Sequence, residues 1–334
     1  MDRGSREASE EIADAVAVLR RGGLVAFPTE TVYGLGCDAK QPEALRRLFA
    51  VKRRPPEHPV IVHLASVGDL DEWAIDVSSA ARTLSAACWP GPLTLVVKRS
   101  RRVPDEVTGG RDAVGLRVPA QPTAHALLGA FAGGIAAPSA NRFGRVSPTT
   151  AADVRADLGD DVDLVLDDGP CTVGIESTIV DCSRPTVAIL RLGGVSRARV
   201  EELLGGPVEL RTAGETSAPG TLAAHYAPSA RVESIEGAAI AARATALLAA
   251  GERVGVLCLD PAPDLPAGVV ALKPPIDVDD YARVLYARLR DADRHGLDVL
   301  LVVPPPSDGI GAAVADRLTR AAGGSRGASD EHVR

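Results

Sequence analysis

Apolar positions fall into short, separated runs along most of the chain. Ile12, Val16 and Leu19 recur at helical spacing behind Ser9-Glu10-Glu11, and Gly22-Gly23 closes that run. The apolar stretch Leu24–Phe27 reads as a strand that stops at Pro28, which cannot donate to a ladder. Residues 29–39 read as a hydroxyl-rich loop with a tight glycine turn at Gly34 and Gly36. A helix is predicted from Pro42 to Val51, with Leu45, Leu48 and Phe49 on one face. It is followed by a strand at 60–64, helices at 66–74 and 78–88, and strands at 93–98 and 113–118. A helix at 122–130 and a strand at 134–137 come next, then a helix to about Leu158 capped by Thr149. Strands at 163–167, 177–182 and 186–191 and a helix at 196–204 complete this region. Strands and helices mix irregularly, so the pattern predicts an α/β fold of the α+β type with a mixed sheet.

Residues 205–230 carry Gly, Pro, Thr and Ser with no sustained period, and read as a linker. Beyond it the pattern becomes regular. Strands at 231–235, 253–259, 268–272 and 298–303 alternate with helices at 237–250, 278–295 and 309–322, as in a small parallel-sheet domain. No GxGxxG or P-loop motif marks that domain as a nucleotide site. The segment 323–334 is rich in Gly, Ser and charge and reads as a disordered tail. The domains expected are therefore 9–204, a linker or lid at 205–230, 231–322, and the tail.

Composition narrows the options. Over residues 1–200, 24 lysines and arginines meet 25 aspartates and glutamates; beyond them, 13 meet 19, so the formal charge of −7 sits mostly in the C-terminal third. That excludes a protein that binds nucleic acid by broad charge alone, but leaves room for a local cationic cleft. The five cysteines are scattered without a CxxC pair, which indicates neither a zinc site nor a disulfide framework. Free thiols, a charged N-terminus without an apolar core and the lack of an 18-residue apolar run predict a cytoplasmic protein with no membrane partner.

The candidate chemistry is a set of cations, hydroxyls and backbone turns. Lys52 and Arg54, at i and i+2 in a segment read as extended, point the same way and suit a triphosphate, each charge-assisted hydrogen bond contributing roughly 1.5–3 kcal/mol. His58 and His63 flank the strand 60–62, and their spacing does not make a metal pair. Pro138-Ser139-Ala140-Asn141 follows a buried-looking strand and is either an ordinary turn or a phosphate contact; Ser147 is either part of a helix cap or a ligand contact. Arg117 stands between apolar neighbours in a strand, where it needs an internal carboxylate or a ligand anion as partner. Glu176-Ser177-Thr178 precedes a strand, and Arg191 ends the next one. No GxSxG and no Cys–His pairing in sequence suggests covalent catalysis. The inventory favours positioning and electrostatic catalysis of nucleotidyl transfer, with Lys52 and Arg54 as the catalytic pair.

Pro28-Thr29-Glu30-Thr31-Val32-Tyr33-Gly34-Leu35, Lys52-x-Arg54, Ser139-Ala140-Asn141 and Glu176-Ser177-Thr178 together resemble the YrdC-like threonylcarbamoyl-AMP synthases. Pro219-Gly220 and His225-Tyr226-Ala227-Pro228 are similar to the linker of the family's long form, which joins a YrdC-like domain to a Rossmann-like C-terminal domain. The resemblance implies a twisted mixed sheet with surrounding helices. It also implies the synthesis of threonylcarbamoyl-adenylate and pyrophosphate from L-threonine, bicarbonate and ATP with Mg²⁺. The product would serve tRNA adenosine modification by a separate transferase, so tRNA and that transferase are the partners implied. By motif, Thr31, His63, Arg117 and Ser177 would hold threonine beside the Ala137 backbone. Lys52, Arg54, His58, Ser139, Asn141, Ser147 and Arg191 would hold ATP. Tyr226, or its neighbour His225, would fold over the nucleotide from a linker that doubles as a lid. Two rival readings are a carbamoyltransferase of the hydrogenase-maturation type, disfavoured by the absence of CxxC pairs and by modest length, and an RNA-binding module, disfavoured by the acidity.

Overall fold

The computed structural model describes residues 3–211, 226–259 and 264–327. The chain divides into two compact units: one of Met1–Phe143, Pro148–Thr172 and Glu176–Thr221, the other of Gly144–Ser147, Val173–Ile175 and Leu222–Arg334.

The first unit carries one mixed sheet. Its strands are β1 (Val25–Phe27), β2 (Gly34–Asp38), β3 (Ile61–His63), β4 (Leu93–Lys98), β5 (Ala113–Arg117), β6 (Ile135–Ala136), β7 (Leu164–Val165), β8 (Thr178–Asp181), β9 (Ala188–Arg191) and β10 (Glu209–Leu210). They lie side by side in the order β10-β9-β8-β4-β5-β3-β6-β2-β1-β7. Parallel pairs such as β3–β5 and β4–β8 alternate with antiparallel ones such as β4–β5 and β3–β6. The mixed sheet expected from the irregular succession of elements is therefore present.

Alternation within the strands decides which face is covered. Val62, Leu95, Val97, Val114, Leu116 and Val180 enter the main core with Leu45, Leu48 and Phe49 of the helix Pro42–Lys52 and Leu84 of the helix Ser79–Cys88. At the other end of the sheet, Val25, Phe27 and Ile135 pack with Leu19 of the helix Arg3–Arg20 and with Leu127 and Leu128 of the helix Pro122–Phe131. The intervening strand positions Ile61, Thr94, Gly115 and Ile179 line an open cleft of about 980 Å³.

Several local expectations are corrected. Gly34 and Gly36 do not make a tight turn: they open strand β2, which pairs antiparallel with β1. Glycine is needed there for close approach, since a Cβ on Gly36 would lie 2.7 Å from Ile135 Cγ2 and 2.8 Å from Phe27 Cε1. The helix before β1 starts at Arg3, not at Ser9. The cap of the helix Ala151–Leu158 is Thr150, whose side chain accepts from the Asp153 amide, rather than Thr149. Residues 209–210, read as linker, add an edge strand parallel to β9. Most of the expected linker, 212–225, lies outside the described residues.

The second unit holds β11 (Arg231–Ser234), β12 (Val254–Leu257), β13 (Val270–Ala271) and β14 (Val299–Val302), all parallel, in the order β11-β14-β12-β13. This is the regular α/β alternation read from the sequence. Its last helix runs Gly311–Gly327, extending into the segment expected to be disordered, while 328–334 lie outside the described residues. Among the described residues no helix is long and apolar enough to cross a membrane.

Candidate active site

Sheet register brings six side chains or backbones of the first unit to one end of neighbouring strands. β3 and β5 pair His63 with Arg117. β3 and β6 pair His63 with Ile135, and the Ala137 amide just beyond donates to the Ile61 carbonyl at 2.9 Å. The β4–β5 pairing of Leu95 with Leu116 carries Thr94 to the Arg117 end, and Thr94 pairs with Ile179 of β8. Ser177 leads into β8, and Arg191 pairs with Ile179. His63, Thr94, Arg117, Ser177 and Arg191 are all buried, although every one is polar or charged. Such groups persist in a core only where partners or ligands satisfy them.

Arg117 is held on three sides. Its Nη1 donates to Thr31 Oγ1 at 2.9 Å, its Nε donates to the Gly91 carbonyl at 3.2 Å, and its Nη2 lies 2.7 Å from Glu30 Oε1. Thr31 is in turn 2.8 Å from Thr29 Oγ1, which donates to the Val32 carbonyl. The open question of Arg117's partner thus has an internal answer, Glu30, a residue of the Pro-Thr-Glu-Thr motif that was not singled out from the sequence. His63 is buried beside this guanidinium. Burial first, and the Arg117 charge second, push its imidazole down to about 3, so it is neutral at physiological pH.

Ser177 and Arg191 form one unit. The guanidinium donates through Nε and Nη2 to the Ser177 carbonyl, at 3.1 and 2.8 Å, and through Nη2 to its hydroxyl at 3.1 Å. Thr94, also missed from sequence, lies with its hydroxyl 2.7 Å from that of Ser177. Thr94 carried no sequence signal: it looks like an ordinary β-former inside an apolar strand.

A second group gathers around the end of the helix Pro42–Lys52. Lys52 is the last helical residue, and Arg53 turns the chain with a left-handed φ of 52°. The segment is therefore not extended, and the i/i+2 argument for a shared direction does not hold. Both side chains are nevertheless buried. Lys52 Nζ donates to the carbonyls of Ser139 and Asn141, and Arg54 Nη2 donates to the Pro59 carbonyl at 2.8 Å. Two of the three ammonium N–H bonds are thus directed at the Ser139–Asn141 backbone, leaving one for a ligand. Burial, then the Arg54 charge, hold Lys52 well below the usual lysine pKa; a bound anion would act in the opposite sense. The Phe143 ring carries Arg54 on one side, 5.8 Å from its centroid, and His58 at 5.5 Å. His58 lies in the turn after Pro55, ahead of β3, while His63 is the last residue of that strand. Its pKa is lowered by partial burial and by Arg54.

Ser147 and Tyr226 belong to the second unit. Ser147 is buried, and Arg290 donates to the adjoining Val146 carbonyl at 2.6 Å. Tyr226 adopts a φ of 63°, stacks on Tyr286 with centroids 5.5 Å apart, and has the buried Arg317 guanidinium 5.3 Å from its ring. His225 and the expected lid lie outside the described residues.

Comparisons with known proteins bear on this arrangement. The Sua5/YciO/YrdC family, described as "Telomere recombination", matches residues 17–193, and the family described as "Threonylcarbamoyl-AMP synthase, C-terminal domain" matches 195–323. A threonylcarbamoyl-AMP synthase of Pyrococcus abyssi is 38% identical over 95% of this chain and 96% of its own length. One from Bacillus subtilis is 35% identical over 94% and 93%. The crystal structure of Pyrococcus abyssi Sua5 complexed with L-threonine superposes with a TM-score of 0.87 at 37% identity, covering 94% of each chain. The mixed sheet, the parallel-sheet second unit and end-to-end similarity agree, and the chain belongs to the threonylcarbamoyl-AMP synthase family of nucleotidyltransferases.

Proposed function

We propose that the chain makes threonylcarbamoyl-AMP and pyrophosphate from L-threonine, bicarbonate and ATP, in the cytoplasm, for a transferase that modifies tRNA. The observation that carries this reading is the set of buried polar side chains, His63, Arg117, Ser177 and Arg191, that sheet register gathers at one end of neighbouring strands. Arg117 would take the threonine carboxylate. Thr31, Ser177, neutral His63 and the Ala137 backbone would surround the rest of the amino acid. Lys52, Arg54, His58, Ser139, Asn141 and Arg191 would hold ATP.

The chemistry fits such a division. Adenylation builds negative charge on transferring phosphates, and pre-positioned cations stabilise it without rearranging. Lys52, with its ammonium already aimed by two carbonyls, and Arg54, braced on Phe143, are such groups. A threonine carbamate is labile in water, so a site that excludes solvent protects it. Mg²⁺ would arrive on the nucleotide phosphates and keep water ligands, because the site offers cations, hydroxyls and a carboxylate paired with Arg117 rather than a carboxylate cage.

The test is pyrophosphate release with ATP, Mg²⁺ and bicarbonate, with and without L-threonine, and after chelation of the metal. Release is expected to depend on all four. Release independent of threonine would overturn the reading, and salt-sensitive tRNA binding without turnover would favour an RNA-binding module instead.

A further inference from the structure

Glu30 and Arg117 form a buried ion pair with an unusual feature. Their side chains are only 8% and 5% exposed, and Glu30 Oε1 lies 2.7 Å from Arg117 Nη2. Yet the contact is off the hydrogen-bond line: among the described residues neither atom has a hydrogen-bond partner. The other carboxylate oxygen is fixed by the Ala120 amide at 3.2 Å, just past the end of β5. Glu30 is thereby tied to the strand end that carries Arg117, and its charge reaches the guanidinium without using up the Nη2 N–H bonds.

We infer that Glu30 is a positioning residue for Arg117. It anchors the guanidinium through charge, while leaving buried N–H bonds for a substrate carboxylate. The remaining tethers of Arg117, the Gly91 carbonyl and the Thr31 hydroxyl, are neutral. They hold Nε and Nη1 and do not reach Nη2. Loss of the Glu30 charge therefore leaves the whole guanidinium held by two neutral hydrogen bonds alone, and so less firmly held where it would meet the ligand. The inference rests on the reading that Arg117 receives the carboxylate of threonine.

The experiment compares L-threonine with L-threoninol, which lacks the carboxylate, in wild type, Glu30→Gln and Glu30→Asp, by competition and steady-state kinetics. Glu30→Gln keeps the size of the side chain and removes its charge. It is expected to raise the KM for threonine at least tenfold, to leave the KM for ATP within twofold, and to cut the preference for threonine over threoninol by a similar factor. Glu30→Asp, which keeps the charge but draws it back by one methylene, is expected to be intermediate; it carries the test if Glu30→Gln does not fold. A threonine KM and preference equal to wild type, a lowered threonine KM, or an equal rise in both KM values would overturn the inference. A wild-type protein that binds threoninol as well as threonine would instead overturn the assignment of Arg117 itself.

Discussion

The hydroxyls of Thr94, on β4, and Ser177, just ahead of the neighbouring β8, lie 2.7 Å apart in the core and 83 residues apart in sequence. The Ser177 hydroxyl also accepts from Arg191. Thr94 therefore limits where the Ser177 hydroxyl can point, and with it any hydroxyl-specific contact to a substrate. Thr94→Val preserves shape and removes one hydrogen bond, a net loss of about 0.5–1.5 kcal/mol. The expected outcome is a threonine KM raised about threefold to tenfold, with ATP little affected, and Thr94→Ser close to wild type. Steady-state kinetics with each substrate varied in turn checks this.

Lys52→Ala and Arg54→Ala are each expected to lower turnover at least tenfold. Lys52→Ala also leaves the Ser139 and Asn141 carbonyls without their donor, so a stability loss of about 1–3 kcal/mol should accompany it. Circular dichroism and urea unfolding separate the two effects. Wild-type turnover in a folded variant would remove that residue from the catalytic pair.

His63 predicts a pH dependence of stability. Its folded pKa, about 3, lies below the unfolded value near 6.5, so the unfolded chain takes up the proton first on acidification. Its contribution is complete above about pH 6.5 and declines as pH falls toward 3, at up to about 1.4 kcal/mol per unit. In His63→Gln the slope of unfolding free energy over this window should be shallower by about one proton. Urea titrations at several pH values give the slope directly.

Gly36→Ala tests the strand reading of the glycine-rich segment. Its Cβ would enter a space already filled by Ile135 and Phe27, which are packed side chains rather than flexible ends. A destabilisation of about 1–3 kcal/mol is expected, measured as a shift in the urea midpoint. A neutral substitution would mean that this part of the sheet yields more readily than its packing implies.

Order and type of elements were largely legible in the sequence because they follow from local periodicity. The helix Pro42–Lys52, the strand Leu93–Lys98 and each strand and helix of the second unit are marked by their own short-range pattern. Motif resemblance added the family, and with it the names of most candidate side chains. What the local pattern misjudged were places where distant packing overrides propensity. Gly34 and Gly36 look like a turn until Phe27 and Ile135 are seen to require their missing side chains. Lys52 and Arg54 looked aligned by extended geometry, whereas a left-handed Arg53 separates them.

Only the tertiary structure decided how the polar residues meet. His63, Arg117, Ser177 and Arg191 are far apart in sequence, and sheet register sets them at adjacent strand ends, while Thr31 reaches Arg117 from the loop between β1 and β2. The roles of Glu30 and Thr94 follow the same rule. In sequence one is a charge within a motif and the other a β-former. Their partners, Arg117 and Ser177, are supplied by strands whose pairing depends on long-range closure of the sheet, which no local pattern encodes.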